Sequence, residues 1–105
     1  VCNPNNPDGR VFAPEALREA HSHLSRRGGW LVIDEAYADL APGLSLAADG
    51  GVDGLILLRS FGKFFGLPGL RLGALIAPDA IRQTIADRLG VWPASGGALD
   101  IGARA

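Results

Sequence analysis

Two short apolar runs, residues 30–33 and 54–58, are each followed directly by polar residues. Such runs, bounded by glycine and turn residues, are typical of strands buried on both faces of a parallel sheet. Residues 70–76 show an alternating pattern that includes Gly73, and they follow the second run too closely for a crossover helix. We therefore predict a third strand there that runs antiparallel to its neighbour. Val1 and Cys2 are predicted to end an earlier strand.

A helix is predicted to begin at Pro14, because proline is favoured in a first helical turn. Leu17, Ala20 (or His21) and Leu24 share one face at helical spacing. Gly28 and the glycine after it are expected to end this helix.

A second helix is predicted to begin at Pro78–Asp79, with Ile81, Ile85 and Leu89 on one face, and a third from residue 98. Residues 39–53 are predicted to form a loop with a short helix and are assigned no chemistry. The order of elements predicts an α/β fold, with a mostly parallel sheet and flanking helices.

The composition indicates one globular unit: 105 residues, 48% hydrophobic and 20% charged, with a net charge of -1. This charge balance gives no reason to expect nucleic acid or a membrane surface as a partner. The single cysteine, Cys2, excludes an internal disulfide and favours a reducing compartment such as the cytoplasm. We interpret it as a small buried thiol.

The chain has no methionine, and both ends fall inside predicted elements, so we expect an internal segment of a longer protein. His21 and His23 lie two residues apart on a helix and cannot share a face. They are interpreted as solvated surface residues, and no metal site is predicted.

Polar side chains follow each of the three predicted parallel strand ends. In α/β sheets these ends meet at one edge, where ligands bind. The candidates are Asn6 after the strand that ends at Cys2, Asp34 and Tyr37 after the run 30–33, and Ser60, Lys63 and Arg71 after the run 54–58. Asp34 alone could equally be a helix cap.

Lys63 is the only lysine, and the residues around it in sequence are mostly aromatic, aliphatic or glycine. Apolar surroundings would favour its neutral amine, which can attack a carbonyl. The alternative is a surface lysine beside a buried loop.

The combined inventory fits pyridoxal 5'-phosphate (PLP). Its aldehyde needs a lysine, its ring nitrogen needs an acid, and its phenolate oxygen needs hydrogen-bond donors. Its phosphate needs a cation and a hydroxyl group.

Three motifs carry a resemblance to a known family. They are Asn-Pro-Asn-Asn-Pro-Asp-Gly-Arg (3–10), Asp-Glu-Ala-Tyr (34–37) and Ser-Phe-Gly-Lys-x7-Arg-Leu-Gly (60–73). In this order they resemble the signatures of fold-type I PLP enzymes, class I/II aminotransferase branch. The resemblance implies that residues 1–105 are a fragment of the PLP-binding large domain. The N-terminal part, the C-terminal small domain and the arginine that grips the substrate carboxylate would then lie outside these residues.

The resemblance also implies a role for each candidate. Lys63 would be the Schiff-base lysine and catalytic base. Asp34 would pair with the pyridine nitrogen, and Asn6 with Tyr37 would donate to the phenolate oxygen. Ser60 and Arg71 would bind the phosphate. Gly62 departs from the pattern, since many relatives have a phosphate-binding serine there.

Within the branch, residues 58–73 and 91–99 resemble the L-threonine-O-3-phosphate decarboxylases of cobalamin synthesis more than the histidinol-phosphate aminotransferases. The implied reaction is decarboxylation of L-threonine O-3-phosphate to (R)-1-amino-2-propanol phosphate, and the alternative is transamination of the histidinol-phosphate type. A small amino-acid phosphate would be the substrate and the full-length protein a homodimer. The isolated fragment is therefore expected to bind PLP weakly or not at all.

Two other classes of protein fit the sequence less well. A non-catalytic binding domain would be expected to lack Lys63 or Asp34, and both are present. A nucleotide-binding Rossmann domain would need a Gly-x-Gly-x-x-Gly turn after a strand, and none occurs.

Overall fold

The computed structural model describes residues 1–105, which form a three-stranded sheet with helices and short turns around it. In chain order the helices and strands are α1 (Pro14–Ser25), β1 (Leu31–Asp34), β2 (Leu55–Ser60), β3 (Gly73–Ile76), α2 (Asp79–Leu89) and α3 (Gly96–Gly102). Short 3₁₀ turns occupy Ala38–Leu40, Pro42–Leu44, Ala47–Asp49 and Pro68–Leu70. The predicted α/β class is confirmed.

The sheet has the order β1-β2-β3 and mixed strand directions. β1 and β2 are parallel, with Asp34 opposite Leu58, whereas β2 and β3 are antiparallel, with Ser60 opposite Gly73. Cys2 forms a parallel bridge to Asp34 on the other side of β1. The predicted strand end at Cys2 and the antiparallel third strand are thus both confirmed.

Helix α1 begins where the sequence predicts it. Pro14 is the first helical residue, and Leu17 is buried against the sheet. The helix ends at Ser25, and the chain then turns at Gly28, whose φ of 69° lies in the left-handed region that glycine tolerates. Leu24, predicted on the apolar face, is 37% exposed.

The hydrophobic core lies on one face of the sheet. It comprises Leu17, Leu31, Ile33, Leu46, Leu55 and Leu57. On the opposite face, Val32 is 40% exposed and Leu58 is 39% exposed. The prediction of strands buried on both faces is therefore wrong for these residues, because α1 and the segment that carries Leu46 pack on one side only.

Helix α2 forms as predicted, but none of its residues is buried. Leu89, on its apolar face, is 62% exposed. Helix α3 starts slightly before the predicted residue 98, because the Ser95 hydroxyl caps it by accepting a hydrogen bond from the Ala98 N–H at 3.1 Å. None of the helices has both the length and the apolar character needed to span a membrane.

Candidate active site

The carboxyl ends of β1 and β2 lie side by side, as predicted. Asp34 is in register with Leu58, and the Glu35 N–H donates to the Leu58 carbonyl at 2.8 Å. Ser60 follows two residues beyond Leu58 and ends β2. Because side chains alternate along a strand, Asp34 and Ser60 lie on the same face of the sheet, opposite the core.

Asp34 is exposed on this face. Its Oδ1 atom accepts a hydrogen bond from the Ala36 N–H at 3.0 Å, which fixes the side chain at the start of the following turn. On the other side of β1, the Asn3 N–H donates to the Asp34 carbonyl at 2.9 Å. The carboxylate is therefore held at the strand end while remaining open to a ligand.

Asn6 and Tyr37 are brought together from separate loops. The Asn6 Nδ2 group donates to the Tyr37 hydroxyl oxygen at 3.4 Å. Both side chains thus point to one place beside the end of β1, as two donors to a common oxygen would require.

The loop that carries Asn6 is held by a residue that the sequence reasoning missed. Asn3 is 1% exposed. Its Nδ2 group donates to the Phe12 carbonyl at 3.1 Å, and its Oδ1 accepts from the Phe12 N–H at 2.8 Å. This pair of bonds closes the loop at its base. The density of turn-forming residues after Cys2 was the available signal, but it did not single out Asn3.

A pocket of about 240 Å³ lies beside the end of β2. Its lining residues are Ser60, Gly62, Pro68, Arg71, Leu72 and Gly73. The predicted phosphate pair, Ser60 and Arg71, therefore faces one cavity. Gly73 lies directly across from Ser60, and a Cβ atom there would come within 3.0 Å of the Arg59 carbonyl, so glycine keeps this corner open. A larger depression of about 540 Å³ runs along α2 and contains none of the predicted site residues.

Arg71 has an unusual backbone conformation. Its φ of 51° and ψ of 38° place it in the left-handed region, and it is the only non-glycine residue with positive φ. This conformation costs a non-glycine residue on the order of 1–2 kcal/mol. Its guanidinium donates to the Pro68 carbonyl at 3.2 Å, which leaves donors available towards the pocket.

Lys63 lies in the turn after β2. The Leu67 N–H donates to the Phe61 carbonyl at 3.1 Å and the Gly66 N–H to the Lys63 carbonyl at 3.0 Å, so the turn is closed around the lysine. The side chain is exposed. The expected apolar enclosure is not formed by these residues, because the phenyl rings pack on one another, with centroids 5.4 Å apart for Phe61–Phe65 and 5.2 Å for Phe64–Phe65. Every ion pair in the structure uses an arginine or a histidine, so the amine is free.

A buried charge cluster on the core face was also missed. Glu35 is 1% exposed and accepts from the Ser45 hydroxyl at 2.6 Å and from the Leu46 N–H at 2.9 Å. The Arg59 guanidinium reaches Glu35 at 3.1 Å and also binds Asp39. Glu35 and Arg59 each adjoin a predicted site residue, and strand alternation could have placed both on the core side. The sequence analysis assigns no chemistry to residues 39–53, yet Asp39 and Ser45 belong to this cluster.

The two histidines have partners within the chain. His21 Nε2 lies 2.8 Å from the Asp53 carbonyl oxygen and 2.9 Å from the Ser25 hydroxyl, so this residue joins α1 to the start of β2 and is not simply solvated. His23 Nδ1 lies 3.0 Å from an Arg26 nitrogen. The Cys2 thiol is half-buried and donates to the Pro4 carbonyl at 3.3 Å.

This arrangement fits the groups of PLP. A pocket with a hydroxyl and a guanidinium suits a phosphate. A free amine, an exposed carboxylate and the Asn6–Tyr37 donor pair lie around the same strand ends, although no contact joins Lys63 to the other candidates.

Comparison with known proteins shows the family of this chain. The family described as aminotransferase class I and II matches residues 1–103. A threonine-phosphate decarboxylase from Pseudomonas aeruginosa is 54% identical over 96 residues, which cover 91% of this chain and 29% of that protein. A histidinol-phosphate aminotransferase from Cronobacter sakazakii is 35% identical over 106 residues, covering 100% of this chain and 29% of that protein.

Among solved structures, the L-threonine-O-3-phosphate decarboxylase from Porphyromonas gingivalis superposes with a TM-score of 0.81 at 28% identity. The match covers 93% of this chain and 30% of that chain. The chain thus spans about three tenths of the length of these relatives. The chain belongs to the class I and II aminotransferase family, an enzyme family that depends on pyridoxal 5'-phosphate.

Proposed function

We propose that the full-length protein is a PLP-dependent decarboxylase that converts L-threonine O-3-phosphate to (R)-1-amino-2-propanol phosphate in cobalamin biosynthesis. The observation that carries this proposal is the 54% identity to a threonine-phosphate decarboxylase over 96 residues of this chain. Residues 1–105 would then be part of the PLP-binding large domain.

PLP, when bound, supplies an aldehyde that captures amines and a ring that accepts the electron pair of the bond being broken. In the proposal the Lys63 amine would hold PLP through its aldehyde carbon. Once substrate is bound, the same amine would carry the proton that takes the place of the departing carboxyl group on the substrate Cα. Its exposure and its freedom from ion pairs support this role.

The other candidate residues would bind PLP and orient it. The Asp34 carboxylate keeps the pyridine nitrogen protonated, because a negative charge beside that nitrogen favours its charged form. Asn6 and Tyr37 would donate to the ring oxygen. The convergence of their side chains, which lie 3.4 Å apart, supports this role. Ser60 and Arg71 bind the phosphate in the pocket that they line.

The direct test uses the full-length protein with PLP and O-phosphothreonine labelled at the carboxyl carbon. Catalytic release of labelled CO2, lost in Lys63→Ala, is the expected result. No release, together with amino transfer from histidinol phosphate, would overturn the proposal in favour of the aminotransferase.

That second function is favoured by the 35% identity to a histidinol-phosphate aminotransferase over the whole chain. The two reactions differ in which bond at Cα is aligned with the ring's π system, so groups that grip the substrate carboxylate decide between them. Both reactions use a phosphorylated amino compound of low mass.

We further propose that the full-length protein is a cytoplasmic homodimer. The exposed apolar face around Val32 and Leu58 supports the expectation that these residues are covered in a larger assembly or domain. Light scattering of the full-length protein at twice the monomer mass is expected, and a monomer that retains full activity would contradict the dimer.

A further inference from the structure

One arginine on the core face joins the two segments that carry the candidate site. Arg59 Nη1 donates to Glu35 Oε2 at 3.1 Å and to the Ser45 hydroxyl oxygen at 3.3 Å. Its Nη2 group donates to Asp39 Oδ1. The acceptors all belong to the 35–46 segment, which follows β1, whereas Arg59 belongs to β2.

The sequence neighbours of this cluster are the candidate PLP ligands. Asp34 precedes Glu35, and Ser60 follows Arg59, so strand alternation puts the ligands on one face and the ion cluster on the other. Tyr37 lies within the 35–46 segment, between Glu35 and Asp39. The guanidinium therefore bonds the segment that carries Tyr37 to the strand that carries Ser60.

The cluster of Arg59, Glu35 and Asp39 is largely buried and fully hydrogen-bonded. The Glu35 side chain is 1% exposed and that of Arg59 23% exposed. Burying charges costs free energy that is recovered only when every polar group has a well-placed partner. No buried side-chain nitrogen or oxygen in the structure lacks one. A planar guanidinium presents donors on separate nitrogens in a rigid plane, whereas the donors of a lysine all lie on one nitrogen at the end of a flexible chain.

We propose that Arg59 is a positioning residue of the active site, which ties the 35–46 segment to β2 through Glu35 and Asp39 and so sets Tyr37 relative to Ser60. The inference rests on the proposed function, because the ligands it positions are those of PLP. Arg59 itself would contact neither cofactor nor substrate, because it lies on the face of the sheet opposite Asp34 and Ser60.

The first experiment needs no cofactor. Amide hydrogen exchange is measured on the full-length apo protein for the wild type, Arg59→Lys and Asp39→Asn. Both substitutions are expected to speed exchange by about tenfold or more in residues 35–46 and 59–63, with little change in α1. Arg18→Lys is the control for the same substitution in an exposed ion pair, because Arg18 pairs with Asp49 at 3.0 Å between α1 and the 47–49 turn and the two side chains are 49% and 36% exposed.

The second experiment measures PLP affinity by equilibrium dialysis and the pH dependence of the bound cofactor's visible absorbance. In Arg59→Lys, Tyr37 should be displaced relative to Ser60, and PLP binding is expected to weaken by about tenfold or more. The midpoint of the absorbance change should move as well, since Tyr37 donates to the ring oxygen. A purely structural defect would lower the melting temperature without moving that midpoint.

Asp39→Asn keeps the test decisive if Arg59→Lys does not fold, because it leaves the Glu35–Arg59 pair intact. Unchanged PLP affinity, midpoint and exchange rates in Asp39→Asn and in any folded Arg59→Lys would overturn the positioning role. A wild-type protein that binds no PLP would instead overturn the proposed function. The exchange rates would then still decide whether Arg59 holds the segment.

Discussion

Asn6 and Tyr37 are 31 residues apart in sequence, yet the Asn6 side-chain amide donates to the Tyr37 hydroxyl oxygen at 3.4 Å. The contact joins the loop after Cys2 to the turn after β1, across the parallel bridge between Cys2 and Asp34. Two donors from independent loops thus meet at the end of one strand.

Because this bond is long and exposed, its own contribution should be small. Asn6→Ala and Tyr37→Phe are each expected to weaken PLP binding by about 2- to 10-fold, which corresponds to about 0.5–1.5 kcal/mol for one hydrogen bond. A double-mutant cycle of the PLP dissociation constants measures their coupling, expected at about 0.5 kcal/mol or more if both donate to the same oxygen. If the effects of the two substitutions on the free energy of PLP binding were strictly additive, the result would contradict a shared acceptor.

Lys63→Ala should separate activity from stability. Because the side chain is exposed and forms no ion pair, the free energy of unfolding should change by no more than about 0.5 kcal/mol. Loss of the amine should lower kcat by about 10²–10⁴-fold at least. Arg82→Ala, on exposed α2, is the control and should leave kcat unchanged. A variant that retains more than a tenth of wild-type kcat would exclude Lys63 as the catalytic group.

Arg71→Gly is expected to retain or increase stability while impairing cofactor binding. Glycine relieves the strain at φ 51°, worth on the order of 1 kcal/mol, which offsets its larger loss of backbone entropy. Loss of the guanidinium should raise the dissociation constant for PLP by about tenfold or more.

Arg82→Gly is the matched comparison for stability, because the same change inside α2 should cost about 1 kcal/mol. Urea unfolding of the apo proteins gives both values. Equal destabilisation of the two variants would show that the Arg71 conformation carries no strain.

Gly54→Ala should destabilise the protein more than Gly9→Ala. Both glycines have positive φ, 81° and 68°, so both pay the cost of a side chain in that region. A Cβ atom at Gly54 would also lie 2.5 Å from the Ser25 hydroxyl, whereas nothing lies within 4 Å at Gly9. The crowding should add about 1–3 kcal/mol at Gly54, measured by thermal unfolding. Equal losses would mean that Ser25 rotates away without cost.

The pKa of Asp8 is lowered from its ordinary value of 3.8, first by the hydrogen bond from the Asn5 side chain and then by that from the Arg10 N–H. Since the folded pKa lies below the unfolded one, the stabilisation is present above pH 3.8 and is lost as the pH falls through the folded value. Asn5→Ala should move the pKa of Asp8 back towards 3.8, as followed by NMR of labelled aspartate. An unchanged pKa in that variant would assign the effect to Arg10 alone.

Local sequence was enough for most of the fold. Pro14, the glycines after Ser25 and the apolar runs gave α1, β1 and β2 to within about two residues, because these signals act through backbone geometry and solvent exclusion over a few residues. Burial was less predictable. Val32 belongs to a continuous apolar run but is 40% exposed, since a run does not say whether a partner covers each face.

The sequence by itself determined which groups are available at the strand ends, namely Asn6, Asp34, Tyr37, Ser60, Lys63 and Arg71, and the order of motifs that marks the family. Only the tertiary structure decided that Ser60 and Arg71 share a pocket, that Asn6 meets Tyr37, and that Arg59 binds Glu35 and Asp39. The physical reason is the separation along the chain of the residues that interact. A strand or turn is set by neighbours a few residues away, whereas these contacts join residues 11 to 31 positions apart and depend on the register of the sheet.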